Sequence, residues 1–271
     1  VNTFRNRALA LSAALALAVT GLAGCDGTDE KASSSKGTEL VGIVKLAPGS
    51  FEDGKLSGTW FRMVQLGGTV AKGPFMVNGN SQADGGKATL LAPGTSGGLR
   101  LGGYQSQPKP AFDKRGNSLA AAITKPVKFF AVEFSIATNT VDPQTQTEVA
   151  PPTVYVKDGK LTADMSSWGV TWNNQVFNQG APKPVSSTQA KAVGQEDAEK
   201  VWDWVAGKYL EKAPAPTISG KGATGTYDAK TGKFVLQWTS LIKGGPFNGF
   251  TGAWHLEGTF TQDAKAPGGT S

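Results

Sequence analysis

The segment KFFAVEFSI, from Lys128 to Ile136, alternates large apolar side chains with small or polar ones. Phe130, Val132, Phe134 and Ile136 fall on one side, and Ala131, Glu133 and Ser135 on the other. A helix repeats about every 3.6 residues and cannot segregate them this way; a strand with one dry and one wet face does. KFVLQWTSLI repeats the pattern with Phe234, Leu236, Trp238 and Ile242, and AWHLEGTF with Trp254, Leu256 and Phe260. The 36 glycines and 15 prolines supply turns at short intervals. Together these features predict an all-β fold, mainly an antiparallel sandwich or barrel.

Three short recurrences fit the same picture. Asp53-Gly54-Lys55-Leu56, Asp158-Gly159-Lys160-Leu161 and Thr231-Gly232-Lys233-Phe234 each read as a hairpin turn entering a strand. One stretch departs from it: QEDAEKVWDWVAGKYLEK, residues 195–212. Acidic residues open it and lysines close it, as a helix dipole favours. Val201, Val205 and Tyr209, flanked by Trp202, Trp204 and Leu210, form an apolar side, and Pro214 and Pro216 end the run. The expectation is one amphipathic helix near 195–212, inside an insertion of about 187–213 in a single β-rich domain, 38–262, with a loose tail at 263–271.

The N-terminal region has a different character. Arg5 and Arg7 precede an uncharged run from Ala8 to Leu22, which ends in Ala23 and Gly24 before the only cysteine, Cys25. A positive head, a short apolar core and small residues make the layout of an export signal. The core is shorter than the roughly 20 residues a permanent membrane helix needs. Leu22-Ala23-Gly24-Cys25 resembles the lipobox of bacterial lipoprotein precursors. That resemblance implies a signal peptide over 1–24, a diacylglycerol on the Cys25 sulfur, and an N-acyl chain as a further modification of the same residue. It also implies export and anchoring on the outer or periplasmic side of a bacterial membrane. Residues 26–37, DGTDEKASSSKG, contain no apolar side chain larger than alanine, so 25–37 reads as a flexible tether. With its one thiol acylated, the chain has no cysteine for disulfides, nucleophilic catalysis or metal binding.

The formal charge of +6 becomes +4 when Arg5 and Arg7 leave with the signal, and no block of five like charges occurs. Nucleic acid is therefore not an expected partner. His255 is the only histidine and shares a strand face with Glu257, a base beside a carboxylate. Asp142 lies in a Pro-marked loop, NTVDPQTQT, of the kind that supplies oxygen ligands to calcium, but without EF-hand spacing. No catalytic residue and no metal ligand is assigned on these grounds, and no cofactor beyond the lipid on Cys25. Aromatic planes beside amides suit a sugar cleft, since ring faces stack and amides take hydroxyls. SSWGVTWNNQVFNQG offers that combination, making Trp168, Trp172, Asn173, Asn174 and Gln175 the candidate ligand-binding residues. Gly58-Thr59-Trp60 resembles the Gly-x-Trp of the first lipocalin strand, which implies an eight-stranded barrel carrying a lipophilic ligand.

The functional expectation is a membrane-anchored envelope lipoprotein whose non-catalytic β domain binds a glycan, a lipid or an envelope protein. A lipophilic-ligand carrier of closed-barrel type and an envelope hydrolase stay open as alternatives. Cells fed a labelled fatty acid should incorporate the label into this chain, and Cys25→Ser should abolish incorporation, as read by gel fluorography.

Overall fold

The computed structural model describes residues 36–183, 201–203, 206–210 and 222–263. Residues 1–35, on which the expected signal peptide, Cys25 and most of the expected tether fall, lie outside the described residues, as do 264–271. The described chain is nearly all β, and every strand pairing in it is antiparallel.

The main sheet runs in the order Thr38–Leu40, Thr153–Lys157, Lys160–Asp164, Ala223–Asp228, Lys233–Leu241, Thr251–Gln262, Gly42–Leu46 and Gly98–Leu101. Its central strand, Thr251–Gln262, pairs along its length with Lys233–Leu241 on one side. On the other side its second half pairs with Gly42–Leu46 and its first half with Trp60–Thr69. A second sheet, Gln175–Asn178, Trp168–Trp172, Val132–Thr138 and Val127–Phe129, packs against the main sheet through Trp168. Gln105 joins the two sheets at one edge: its carbonyl accepts from the Thr138 N–H, and its side chain holds Arg100 N–H and Gly98 O. The result is a nearly closed, barrel-like antiparallel wall.

The core lies between the sheets. Phe234, Leu236, Trp238, Trp254, Leu256 and Phe260, all on the predicted inward faces, are buried. Trp168 meets Trp238 edge-on at 5.1 Å and Trp254 at 5.5 Å. Gln179 supplies the polar centre. Its N–H donates to the Trp168 carbonyl and its own carbonyl accepts the Trp238 indole N–H, both at 2.9 Å. Its side-chain oxygen accepts the Trp254 indole N–H at 3.4 Å, and its amide nitrogen donates to Asn178 O and Leu241 O. A Cβ at position 252 would lie 2.1 Å from that side-chain oxygen, which is why glycine stands there.

The Asp-Gly recurrences form hairpins. Asp53-Gly54 and Asp158-Gly159 are two-residue loops with φ positive at both positions, the geometry that matches strand twist. Two expectations need correction. The expected helix near 195–212 is not supported: its described residues, 201–203 and 206–210, include the strands Val201–Asp203 and Lys208–Leu210, which pair antiparallel, and the remainder of the 187–213 insertion lies outside the described residues. The local cause is visible in VWDWVAG, where β-branched and aromatic residues alternate up to Gly207 at φ 61°. Asp203 closes the turn by accepting from Ala206 N–H at 3.0 Å and Gly207 N–H at 2.8 Å. The second correction concerns KFFAVEFSI, which is no single strand. Phe130 and Ala131 are the loop of a hairpin whose strands are Val127–Phe129 and Val132–Thr138, so Phe129 enters the core and Phe130 does not.

Trp238 sits between the sheets with its indole bonded to Gln179, so Trp238→Ala should cost about 3 to 5 kcal/mol in urea unfolding. A loss below about 1 kcal/mol would mean that the core closes without it.

Candidate functional site

The strand Trp168–Trp172 is buried along its whole length, and Trp168 is 0% exposed. Trp172 turns inward too, its indole N–H donating to the Phe129 carbonyl at 2.8 Å. The amides lie elsewhere. Asn173 and Asn174 form the two-residue loop of the next hairpin, at φ 51° and 58°, and Gln175 begins its second strand. Asn tolerates this left-handed backbone better than most residues, which accounts for the pair locally. The structure thus gathers the amides at a turn and sends the tryptophan rings into the core; it does not assemble them in one cleft.

The interior leaves little room. A cavity of about 50 Å³ lies among Phe61, Phe129, Phe134, Trp172, Phe247 and Trp254. Small-molecule pockets are usually about 300–1,000 Å³. Trp60, from the lipocalin-like triplet, does not close this interior. Its ring stacks on His255 at 4.9 Å, and the Arg62 guanidinium lies 5.5 Å from it, between Trp60 and Phe75.

His255 and Glu257 do lie together, with Nε2 3.9 Å from the carboxylate. The same carboxylate oxygen accepts the Gly58 N–H at 3.0 Å, and the other faces Lys233 Nζ at 3.7 Å. Burial holds His255 below the ordinary imidazole range, against the pull of Glu257. The arrangement clamps the Gly58 turn to the central strand and keeps the imidazole neutral near pH 7. Asp142 is equally occupied: its oxygens accept from Gln144 N–H, Thr145 N–H and the Thr145 hydroxyl. Among the described residues no three His, Cys, Asp or Glu side chains converge as metal ligands.

The loop that Asp142 shapes carries open clefts. Residues 139–150 close on themselves through the Val141–Glu148 bridge, and the Tyr104 hydroxyl donates to Val149 O at 2.5 Å. A cleft of about 490 Å³ opens on one side of Val141, lined by Tyr104, Thr140, Glu148 and Val149. A second, of about 550 Å³, opens on the other side, lined by Gln107, Lys109, Asn139, Pro143 and Val176. Neither the Gln107 side-chain oxygen nor its nitrogen has a hydrogen-bond partner. Lys183 braces the loop from below, its ammonium held by Gln144 Oε1, Asn178 O and Asn178 Oδ1. Burial pulls Lys183 down to about 7, with Asp142 opposing and Lys243 assisting.

Sequence reading missed this surface because its polar groups come from two segments about 35 residues apart with no shared motif. Tyr104, exposed in a glycine-flanked GGYQ, was the available signal. No protein-family model, curated protein or solved structure matches the chain.

Because His255 is held neutral in the fold, the unfolded chain takes the proton first. Stability should be level in this respect above pH 6.5 and fall as pH drops from 6.5 toward the lowered native value. Denaturant midpoints between pH 5 and 7 should show this slope, and His255→Gln should flatten it.

Proposed function

We propose that the chain is an exported lipoprotein, acylated at Cys25, whose β domain is a non-catalytic recognition module for an envelope glycan. The lipobox-like Leu22-Ala23-Gly24-Cys25 supports the address. The observation that carries the rest is the contrast between a filled interior and the paired clefts beside Val141. A space of about 50 Å³ suits no acyl chain, which weighs against the carrier alternative. The His255–Glu257 pair is engaged in holding a turn, which weighs against the hydrolase.

The clefts offer what a saccharide uses. Tyr104 presents a ring that is 37% exposed, with Glu148 and Thr140 beside it for hydroxyls. Across Val141, Asn139 adds an amide and Lys109 a cation. One side of each cleft rests on the loop that Asp142 and Lys183 hold in shape, so the surface is preorganised and loses little entropy on binding.

Titration of soluble wall-glycan fragments against the protein, followed by NMR shifts, tests the reading. Tyr104→Ala should weaken binding about tenfold, equivalent to about 1.4 kcal/mol, with the fold retained. Failure of every fragment to shift residues 104–111 and 139–150 would remove the glycan assignment.

A further inference from the structure

The hairpin loop at Phe130 is built against its residues' own preferences. Phe130 and Ala131 stand at φ 50° and 64°, a left-handed pair that Asn-Gly would adopt freely and a bulky side chain resists. The protein braces it. Ala131 N–H donates to Asn80 Oδ1, and the Asn78 amide donates to the Lys128 carbonyl, each at 2.9 Å. What the brace presents is an aromatic ring, 38% exposed, resting on Phe129 at 5.1 Å and Phe247 at 5.5 Å.

Other apolar and basic groups collect around it. Val77, 49% exposed, enters the bracing loop. The turn that holds Phe247 adjoins the strand Val201–Asp203, and there Trp202 crosses Tyr209, 62% exposed, at 4.9 Å. Lys125, Lys128 and Lys208 are exposed on the same elements. The acidic neighbours are Glu133, opposite Lys128, and Asp203, opposite Lys208 and also accepting from Ala206 N–H.

We propose that this cluster is a bilayer-contact surface for anionic lipid, separate from the glycan clefts. Phe130 and Val77 enter the acyl boundary, Trp202 and Tyr209 lie at headgroup level, and the lysines meet lipid phosphates. The reach of the chain argues for a membrane as occupant. Residues 25–37 number thirteen and extend at most about 45 Å, so lipid on Cys25 would keep the domain against the bilayer. A contact too weak to hold alone is then sufficient. The proposal draws this strength from the acylation reading, while the surface itself does not depend on it.

The test is site-directed spin labelling of the full chain in phosphatidylglycerol/phosphatidylcholine vesicles. Cys25 is the only native thiol, so a label on Ala131→Cys reports the tip and one on the exposed Thr259→Cys serves as control. The expected result is at least a threefold higher ratio of oxygen to nickel-chelate accessibility at 131 than at 259. Phe130→Gly should erase this difference while leaving the Tm equal or higher, because glycine relieves the left-handed turn. Equal accessibility at both positions, or contact unchanged by Phe130→Gly, overturns the proposal. A second label on Cys25 would show that thiol free and remove the acylation reading alone; the tip is then measured in the Cys25→Ser background at a vesicle concentration that saturates binding of the unanchored chain, where the same two outcomes decide.

Discussion

The packing of the two sheets at the core centres on the hydrogen bonds of Gln179. Apolar burial holds two sheets together but is indifferent to how one slides across the other. Gln179 removes that freedom: one residue bonds Trp168 of the covering sheet and the indole nitrogens of Trp238 and Trp254 in the main sheet. A buried donor or acceptor left unpaired costs about 1 to 3 kcal/mol, so a shifted packing would forfeit several such terms at once. The three tryptophans are therefore hydrophobic bulk and register pins together. Gly252 belongs to the same device, because any side chain there would occupy the space of the Gln179 oxygen.

The division between a filled inside and a shaped outside follows from this centre. With large rings meeting edge-on around one polar residue, little space remains for a guest. Features able to meet other molecules are displaced to the 139–150 loop with Tyr104 and to the Phe130 tip. Each rests on rigid strands while projecting from them, the usual placement of recognition surfaces.

How much of this was legible in the sequence varied with the range of the interaction. Period-two runs at 234–238 and 254–260 depend on nearest neighbours in a strand, and they placed Phe234, Trp238, Trp254 and Leu256 on the buried face correctly. The hairpin loops at Asp53-Gly54 and Asp158-Gly159 were legible for the same reason. The Phe130 turn was not, because its loop residues carry none of the usual turn chemistry and are held by Asn78 and Asn80, some fifty positions away. The 195–212 stretch misled because charge placement suited a helix while the alternation of VWDWV suited a strand, and the strand prevailed over the described part. Trp168 and Trp172 were read as ligand-facing, but a sequence does not say which face of a strand a second sheet will cover. The clefts at Tyr104 were invisible because they arise where separate loops meet.

The order of the strands along the chain carries a kinetic consequence. The strand that occupies the middle of the main sheet, Thr251–Gln262, is the last of the described strands, yet it pairs with segments beginning at Gly42, Trp60 and Lys233. A chain delivered from its N-terminus can pair local hairpins early, but its main sheet lacks a centre until about residue 262 has emerged. Such a topology has high contact order and favours late, concerted closure over stepwise folding. The two parts of the main sheet on either side of Thr251–Gln262 are joined only when that final strand arrives.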